Sequence, residues 1–273
     1  MLATFAAFAT CAACFSTSQP RVRMASSEVR ALRAFPTDAW DGLLHQVVDG
    51  EGHVDYAAVR ANRNTLDRYL AAVADAGPTA RPDLFPDSNA RLAFAINAYN
   101  ATVFRNVIDR EPIRKIDDEL ANFFYFTEFV IDGTDRSLKT YEDDVVREGF
   151  KDPRAHFALN CASASCPQLP AEAFRAERLD EQLDREARKF CNQERNVKVV
   201  GTRLILSQIF EWFEDDFTSF ETRNGNADGS VIDFINRWRA PDAQLPETLT
   251  IEHVPYDWTI NAQHAPGVTP TSK

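Results

Sequence analysis

The chain has 273 residues, 44% of them hydrophobic, with 20 Phe, 6 Tyr and 4 Trp, which is apolar material for a substantial core and excludes disorder in its middle. Its formal net charge is -11, from 30 basic and 41 acidic residues, and no basic cluster interleaves with aromatics, so a nucleic-acid partner is not expected. The length allows one large domain or two small ones, and appendage-like ends favour one.

Residues 1–25, "MLATFAAFATCAACFSTSQPRVRMA", contain no acid: an apolar run to Phe15, then hydroxyl residues, then Arg21 and Arg23. The run is short for a bilayer span and resembles a signal-peptide core, without the basic residue that usually precedes one. The stretch behind it resembles a plastid transit peptide, and the two together resemble the two-part leaders of algae with secondary plastids. A targeting leader over 1–25 is therefore expected, with a plastid destination. The secretory pathway or an extracellular location is the alternative, and a buried N-terminal helix is the bland one. After leader removal no stable membrane span is expected. Cys11 and Cys14 fall in the leader, leaving Cys161, Cys166 and Cys191. Such an odd, sparse set is no disulfide framework, although a bridge between Cys161 and Cys166 stays open.

From an N-cap at Thr37, "TDAWDGLLHQVVD" predicts an amphipathic helix, and "NRNTLDRYLAAVADAG" a second that stops at Gly77-Pro78. Ser88 is the expected cap of "NARLAFAINAYNATVFRNVIDR", a helix apolar on nearly every side and therefore buried. Asn97 and Asn100, three apart on it, must then have hydrogen-bond partners, since an unsatisfied buried amide costs roughly 1 to 3 kcal/mol. Phe126 to Ile131 reads as a strand turning at Asp132-Gly133, and "TYEDDVVREGF" as a short helix capped by Thr140. In "RAHFALNC" the alternation predicts a strand with His156, Ala158 and Asn160 on one side and Phe157, Leu159 and Cys161 on the other. An amphipathic helix follows over "AERLDEQLDREARKFC", then a hairpin around Gly201-Thr202. Ser207 caps the short helix "QIFEWFEDDF", and "VIDFINRWR" is a last helix capped by Asp228 or Ser230. "LTIEHVPYDWTI" is strand-like, and a disordered tail is expected over 261–273. The fold class is α+β: a mainly helical single domain over 37–260 with a small, mostly antiparallel sheet.

Chemistry concentrates in "HFALNCASASC". Cys161, beside small residues that leave room for a substrate, is a candidate nucleophile and His156 its candidate base. On a regular strand the two point to opposite faces, so their pairing requires a bulge or another base from His45, His53 or His253. A buried cysteine that packs as a small hydrophobe is the plain alternative. Asn97, Asn100 and Asn160 are candidate orienting or oxyanion-stabilising amides, or members of a purely structural network. Cys161, Cys166 and His156 form too loose a set for a metal, their spacing is not that of a thioredoxin-type redox pair, and no cofactor is expected. Tyr256-Asp257-Trp258 is either a docking segment or a way to bring Asp257 to a histidine.

The blocks "RLAFAINAYNATVFRNVID", "FFYFTEFVIDGTDRSL", "KDPRAHFALNCASASCPQLPAEAFRAERLDEQLD", "LILSQIFEWFEDDF", "VIDFINRW" and "VPYDWTIN", in this order from about Leu43 to Asn261, resemble the family called domain of unknown function 547. The resemblance implies a domain of bacteria, plants and algae, joined in some plant proteins to leucine-zipper or glutaredoxin-type modules, and it implies no established reaction. This chain has Ala95 where the family usually has Trp, a change that opens a gap or admits a ligand unless neighbours compensate. The first block also resembles the nucleophile-bearing helix of transglutaminase-like and papain-like enzymes, but carries no cysteine. The leading expectation is a cysteine-dependent acyl hydrolase or transferase acting with an unknown protein or small-molecule partner. A non-catalytic binding or scaffold module and a thiol redox partner are the alternatives.

Overall fold

The computed structural model describes residues 22–263 and the backbone of Ser16–Ser18. Most of the segment read as a leader, and the tail from residue 264 on, lie outside the described residues. Strand β1 is Ser16–Ser18, and helices α1 (Ser26–Ala31), α2 (Thr37–Val47), α3 (Tyr56–Ala61) and α4 (Arg63–Asp75) lead into the long α5 (Ser88–Arg110). The hairpin β2 (Thr127–Ile131) and β3 (Thr134–Ser137) precedes α6 (Leu138–Thr140), a wide π-type turn over Tyr141–Arg147 and α7 (Glu148–Phe150). Helix α8 (Leu179–Asn192) is followed by β4 (Val197–Val200), β5 (Arg203–Ser207), α9 (Gln208–Trp212), α10 (Glu214–Arg223), α11 (Val231–Asn236) and β6 (Thr250–Val254). The architecture is the expected mainly helical α+β type, with the strands divided between two small three-stranded sheets. Each is built on an antiparallel hairpin, to which β1 or β6 adds in parallel. The first hairpin turns where the sequence asked for it: Asp132 and Gly133 both take positive φ, 51° and 73°, as a tight primed turn requires.

Helix α5 is the axis of the larger core. Of its 23 residues 18 are buried, because α2, α3 and α4 cover one side and the segments after it cover the other. Trp40 of α2 stacks on Tyr69 of α4 at 5.7 Å and meets Phe104 of α5 edge-on at 5.1 Å, a trio in which each ring's full burial contributes roughly 1.5–3 kcal/mol. Ala95 is 1% exposed in this core. A second core gathers Phe157, Phe190, Phe210, Phe217 and Phe234 from α8 to α11. The turn Pro153–Phe157 straddles the two: Ala155 packs into the first and Phe157 into the second.

That turn is a 3-10 helix where alternation predicted a strand, so the period-two separation of His156 from Cys161 does not apply. Pro153 sits at its first turn and the Asp152 carboxylate accepts from the Arg154 N–H, a local cap that nucleates helix. The apolar alternation is real, but it reflects a core on each side rather than a pleat. Caps shift in the same way: Asp87, not Ser88, caps α5; Ser137, not Thr140, caps the segment after β3; and Thr37 lies inside α2, preceded by Pro36. Ser207 and Ser230 cap α9 and α11 as expected. Asn261 to Gln263, read as the start of the tail, are bound to the body: the Asn261 N–H donates to Ala162 O at 2.9 Å and the Gln263 N–H to Val54 O at 3.0 Å.

Asn97 and Asn100 of α5 bind main chain, not side chains. Asn97 is paired both ways with Phe174, donating from Nδ2 to its carbonyl at 2.7 Å and accepting its N–H at 3.0 Å. Asn100 donates to Ala158 O at 2.9 Å and accepts the Asn160 N–H at 2.9 Å. Because the helix backbone is already saturated, these amides are free to replace a missing strand for the segment that crosses them. Asn100→Ala strands a buried carbonyl and a buried N–H at roughly 1–3 kcal/mol each, so urea unfolding is expected to read a stability loss of about 2–5 kcal/mol.

Candidate functional site

The cysteine segment, residues 158–167, is held on three sides. Asn100 grips its start. Asn160 donates from Nδ2 to Pro167 O at 2.8 Å and accepts the Ala162 N–H at 2.9 Å, closing the loop across its own base. That closure places Ala162 in the left-handed region at φ 64°. Asn261 donates to the Asn160 amide oxygen at 3.2 Å and accepts from the Tyr56 hydroxyl at 2.8 Å, tying the loop to α3. On the outer side the N–H groups of Ala164 and Ser165 donate to Thr259 O and Asp257 O, and Arg195 donates to the carbonyls of Ala164 and Cys166.

Within this frame Cys161 and Cys166 form a disulfide, with Cα atoms 6.2 Å apart. The two halves differ in exposure: Cys166 is 5% exposed, whereas Cys161 is only half-buried. Hydrogen-bond donors converge on both sulfurs. The Cys161 N–H donates to Cys166 Sγ at 2.8 Å. The Ser163 hydroxyl lies 3.0 Å from Cys161 Sγ and donates to the Tyr256 hydroxyl at 3.1 Å, which leaves the Tyr256 proton for Cys161 Sγ, 3.3 Å away. Burial pushes the Tyr256 phenol up, further than the Ser163 bond lowers it, so it stays a donor. Cys191 is sealed in the second core and burial pushes its thiol up, which makes it inert.

The disulfide forms part of the wall of a cleft of about 410 Å³, at the seam between the two cores. Trp212, Tyr256 and Trp258 form one aromatic flank, with ring centroids 4.6 to 5.8 Å apart, and Phe124 and Tyr125 line it as well. Polar groups enter from the turn after α6 and from the 3-10 helix. His156 lines the cleft, its ring stacked on Phe213 at 4.0 Å. Its Nε2 is 2.7 Å from Asp216 Oδ2, and Arg147 donates to the same carboxylate at 2.7 and 3.2 Å. Burial works to raise Asp216, but the His156 and Arg147 hydrogen bonds and charges outweigh it and hold the carboxyl well below its usual range. An ionised carboxylate only accepts, so Nε2 carries a proton, and Nδ1 makes no hydrogen bond among the described residues. Glu142 also lines the cleft; burial raises its carboxyl against the opposing charges of Lys139, His156 and Arg147, and the Tyr99 hydroxyl donates to it at 3.3 Å.

Of the residues singled out in the sequence, Cys161 and His156 thus meet in one cleft, without a hydrogen bond between them. Asn97, Asn100 and Asn160 lie behind it, with their amides committed to main chain. His45, His53 and His253 pair with Asp41, Asp49 and Glu211 elsewhere and do not line it. The segment 256–258 docks: the Asp257 N–H donates to Ser165 Oγ at 2.8 Å, and its carboxylate accepts from Thr259 rather than from a histidine. Sequence reasoning missed Glu142, Arg147, Asp216 and Tyr99. Glu142 and Asp216 were invisible because each sits in an acidic helix start, "YEDD" and "FEDD", where solvated carboxylates are the rule. Tyr99, between the two asparagines, carried a signal in its place on an all-apolar helix, where its hydroxyl needs a partner.

Residues 85–191 match the model of a family described as Protein of unknown function, DUF547. No curated protein and no solved structure matches the chain significantly. The matched segment runs from just before α5 into α8 and carries Tyr99, Glu142, Arg147, His156 and both bridged cysteines, while Tyr256 reaches the cleft, and Asp216 reaches His156, from beyond it. Residues 85–191, which hold most of the polar groups of the cleft, are thus similar to the DUF547 family.

Proposed function

We propose that the cleft is a thiol–disulfide exchange centre in which Cys161 is the attacking and attacked sulfur and Cys166 the resolving one. The observation that carries this reading is the asymmetry of the bridge: both cysteines line an aromatic cleft, but Cys161 is only half-buried whereas Cys166 is 5% exposed. A partner dithiol supplies the electrons. One of its thiolates attacks Cys161 Sγ, the protein's S–S bond breaks, and Cys166 leaves as a thiolate facing the Cys161 N–H. The partner's second thiolate then attacks its own sulfur in the mixed disulfide and expels Cys161 as a thiolate, facing Tyr256. The partner leaves oxidised by two electrons and both protein sulfurs take up protons. Donors aimed at the two sulfurs favour the charged state that each step creates. The aromatic flank suits an apolar peptide or small thiol. A leader to a plastid or the secretory pathway would set the redox poise in which the pair works.

Trapping tests this in the full-length chain carrying Cys11→Ser and Cys14→Ser. Dithiothreitol under native conditions is expected to open the bridge, counted as two new thiols by mass spectrometry. Added Cys166→Ser is expected to accumulate a mixed disulfide at Cys161 with a small disulfide probe, and added Cys161→Ser to form none at Cys166. A bridge that opens only on unfolding, or equal trapping at both positions, overturns the reading.

Acyl transfer, as hydrolase or transferase, remains the second reading because His156, which lines the same cleft, is hydrogen-bonded to Asp216 as a base is to its orienter. In it the reduced Cys161 attacks a carbonyl, His156 passes the proton to the leaving group, and water cleaves the thioester. The two readings part at Cys166, which exchange needs and acyl transfer does not. With p-nitrophenyl acetate, reduced Cys166→Ser protein is expected to show no turnover that depends on Asp216. Turnover that falls roughly 100-fold or more in Asp216→Asn would transfer the assignment to acyl chemistry.

A further inference from the structure

Among the residues that line the cleft, one carboxyl takes no part in the steps above. Glu142 projects from the turn between α6 and α7 and lines the same cleft as both cysteines. One of its oxygens accepts a long bond, 3.3 Å, from the Tyr99 hydroxyl of α5, and the other makes none among the described residues. Its cationic neighbours are already spent on other acids: Lys139 binds Asp143 at 2.7 Å, and Arg147 binds Asp143 at 2.6 Å and Asp216 at 2.7 Å. His156, facing from the 3-10 helix, is bound to Asp216 of α10. On the far side Tyr256, from the segment after β6, contacts Cys161 Sγ at 3.3 Å and lines the same cleft as Glu142.

We infer that Glu142 is the proton-carrying group of this cleft, exchanging a proton with Cys161 through the Tyr256 hydroxyl and the water that fills the cleft between them. The inference rests on the exchange reading and adds the acid–base partner that reading lacks. When Cys161 leaves a mixed disulfide, the S–S bond breaks, the sulfur keeps the electron pair, Tyr256 passes it a proton and Glu142 replaces that proton. When Cys161 attacks a disulfide, the same path runs backwards: the thiol proton goes to Tyr256, the Tyr256 proton goes to the Glu142 carboxylate, and the sulfur is freed as a thiolate. Burial raises the Glu142 carboxyl above its usual range, against Lys139, His156 and Arg147 and with help from Asp143, which moves it toward the range where one group serves as acid in one direction and base in the other.

The test is the rate at which reduced Cys161 attacks 5,5'-dithiobis(2-nitrobenzoate), followed against pH in full-length protein carrying Cys11→Ser, Cys14→Ser and Cys166→Ser. With Glu142 present the profile is expected to show two inflections, one from the carboxyl and one from the thiol. Glu142→Gln is expected to keep only one and to react roughly 100-fold more slowly near neutral pH. Glu142→Asp is expected to restore the second inflection, which a merely structural side chain would not do. Infrared spectra of the protein without the Glu142 change give a readout independent of folding in the variants: the protonated-carboxyl band lost in Glu142→Gln is expected to vanish as pH rises, and to shift between the bridged and reduced forms. Identical profiles in Glu142→Gln and its parent, or no such band, overturn the inference while leaving exchange intact. A parent protein whose Cys161 does not react sinks the exchange reading, and the inference with it.

Discussion

Everything about the cleft depends on four asparagines that do the work of an absent β-strand. Residues 158–167 cross the buried face of α5 in an irregular path, and irregular backbone inside a protein is costly because its N–H and C=O groups lose water without gaining partners. Asn100 supplies those partners from the helix side, Asn160 from within the loop and Asn261 from the C-terminal segment, while Asn97 does the same for the main chain of Phe174 further along. A primary amide is the only side chain that offers a donor and an acceptor at one spacing and without charge, so it can pair a main-chain carbonyl and a nearby N–H together. Aspartate would lose the donor and bury a charge, and a hydrocarbon would lose both bonds. The two cysteines sit on a loop that these amides hold as well as the bridge does.

The same constraint explains which parts of the molecule were legible in the sequence. Helices α2, α4, α5 and α8 could be read because each has a long apolar stripe, and the hairpin at Asp132-Gly133 because its turn residues demand positive φ. The need of Asn97 and Asn100 for partners was equally legible, since burial on an all-apolar helix leaves no other outcome. The identity of those partners was not, because they are main-chain groups 58 and 77 residues away that leave no mark on composition. The segment around His156 misled for a related reason. An apolar residue at every second position signals a strand when one core lies on one face, but here Ala155 and Phe157 look into two different cores.

The seam between those cores is where a site of this kind belongs. Within one close-packed core there is no room for a ligand, whereas two cores meeting along a 3-10 turn leave a gap that is walled by side chains yet open to solvent. The walls inherit their character from the parents: aromatic rings from the second core and its flank, and hydroxyls and carboxylates from α5 and the turn beyond α6. His156 is fixed there by stacking on Phe213 and by Asp216, so its ring orientation does not depend on a substrate.

Charge is distributed unevenly across this gap, and that unevenness is what gives it chemistry. On one side Arg147 binds two carboxylates, Asp143 and Asp216, while its guanidinium also lies 4.9 Å over the Phe213 ring. Asp216 is held ionised by His156 and Arg147, which are themselves held in place. Glu142, one residue from Asp143, is excluded from that arrangement and meets only a phenol. Two adjacent carboxyls therefore differ in surroundings: Asp143 is aimed at Lys139 and Arg147, and Glu142 at an aromatic cleft. A group in the second situation exchanges protons with whatever enters, and what lines the cleft nearest to Tyr256 is the accessible half of a disulfide.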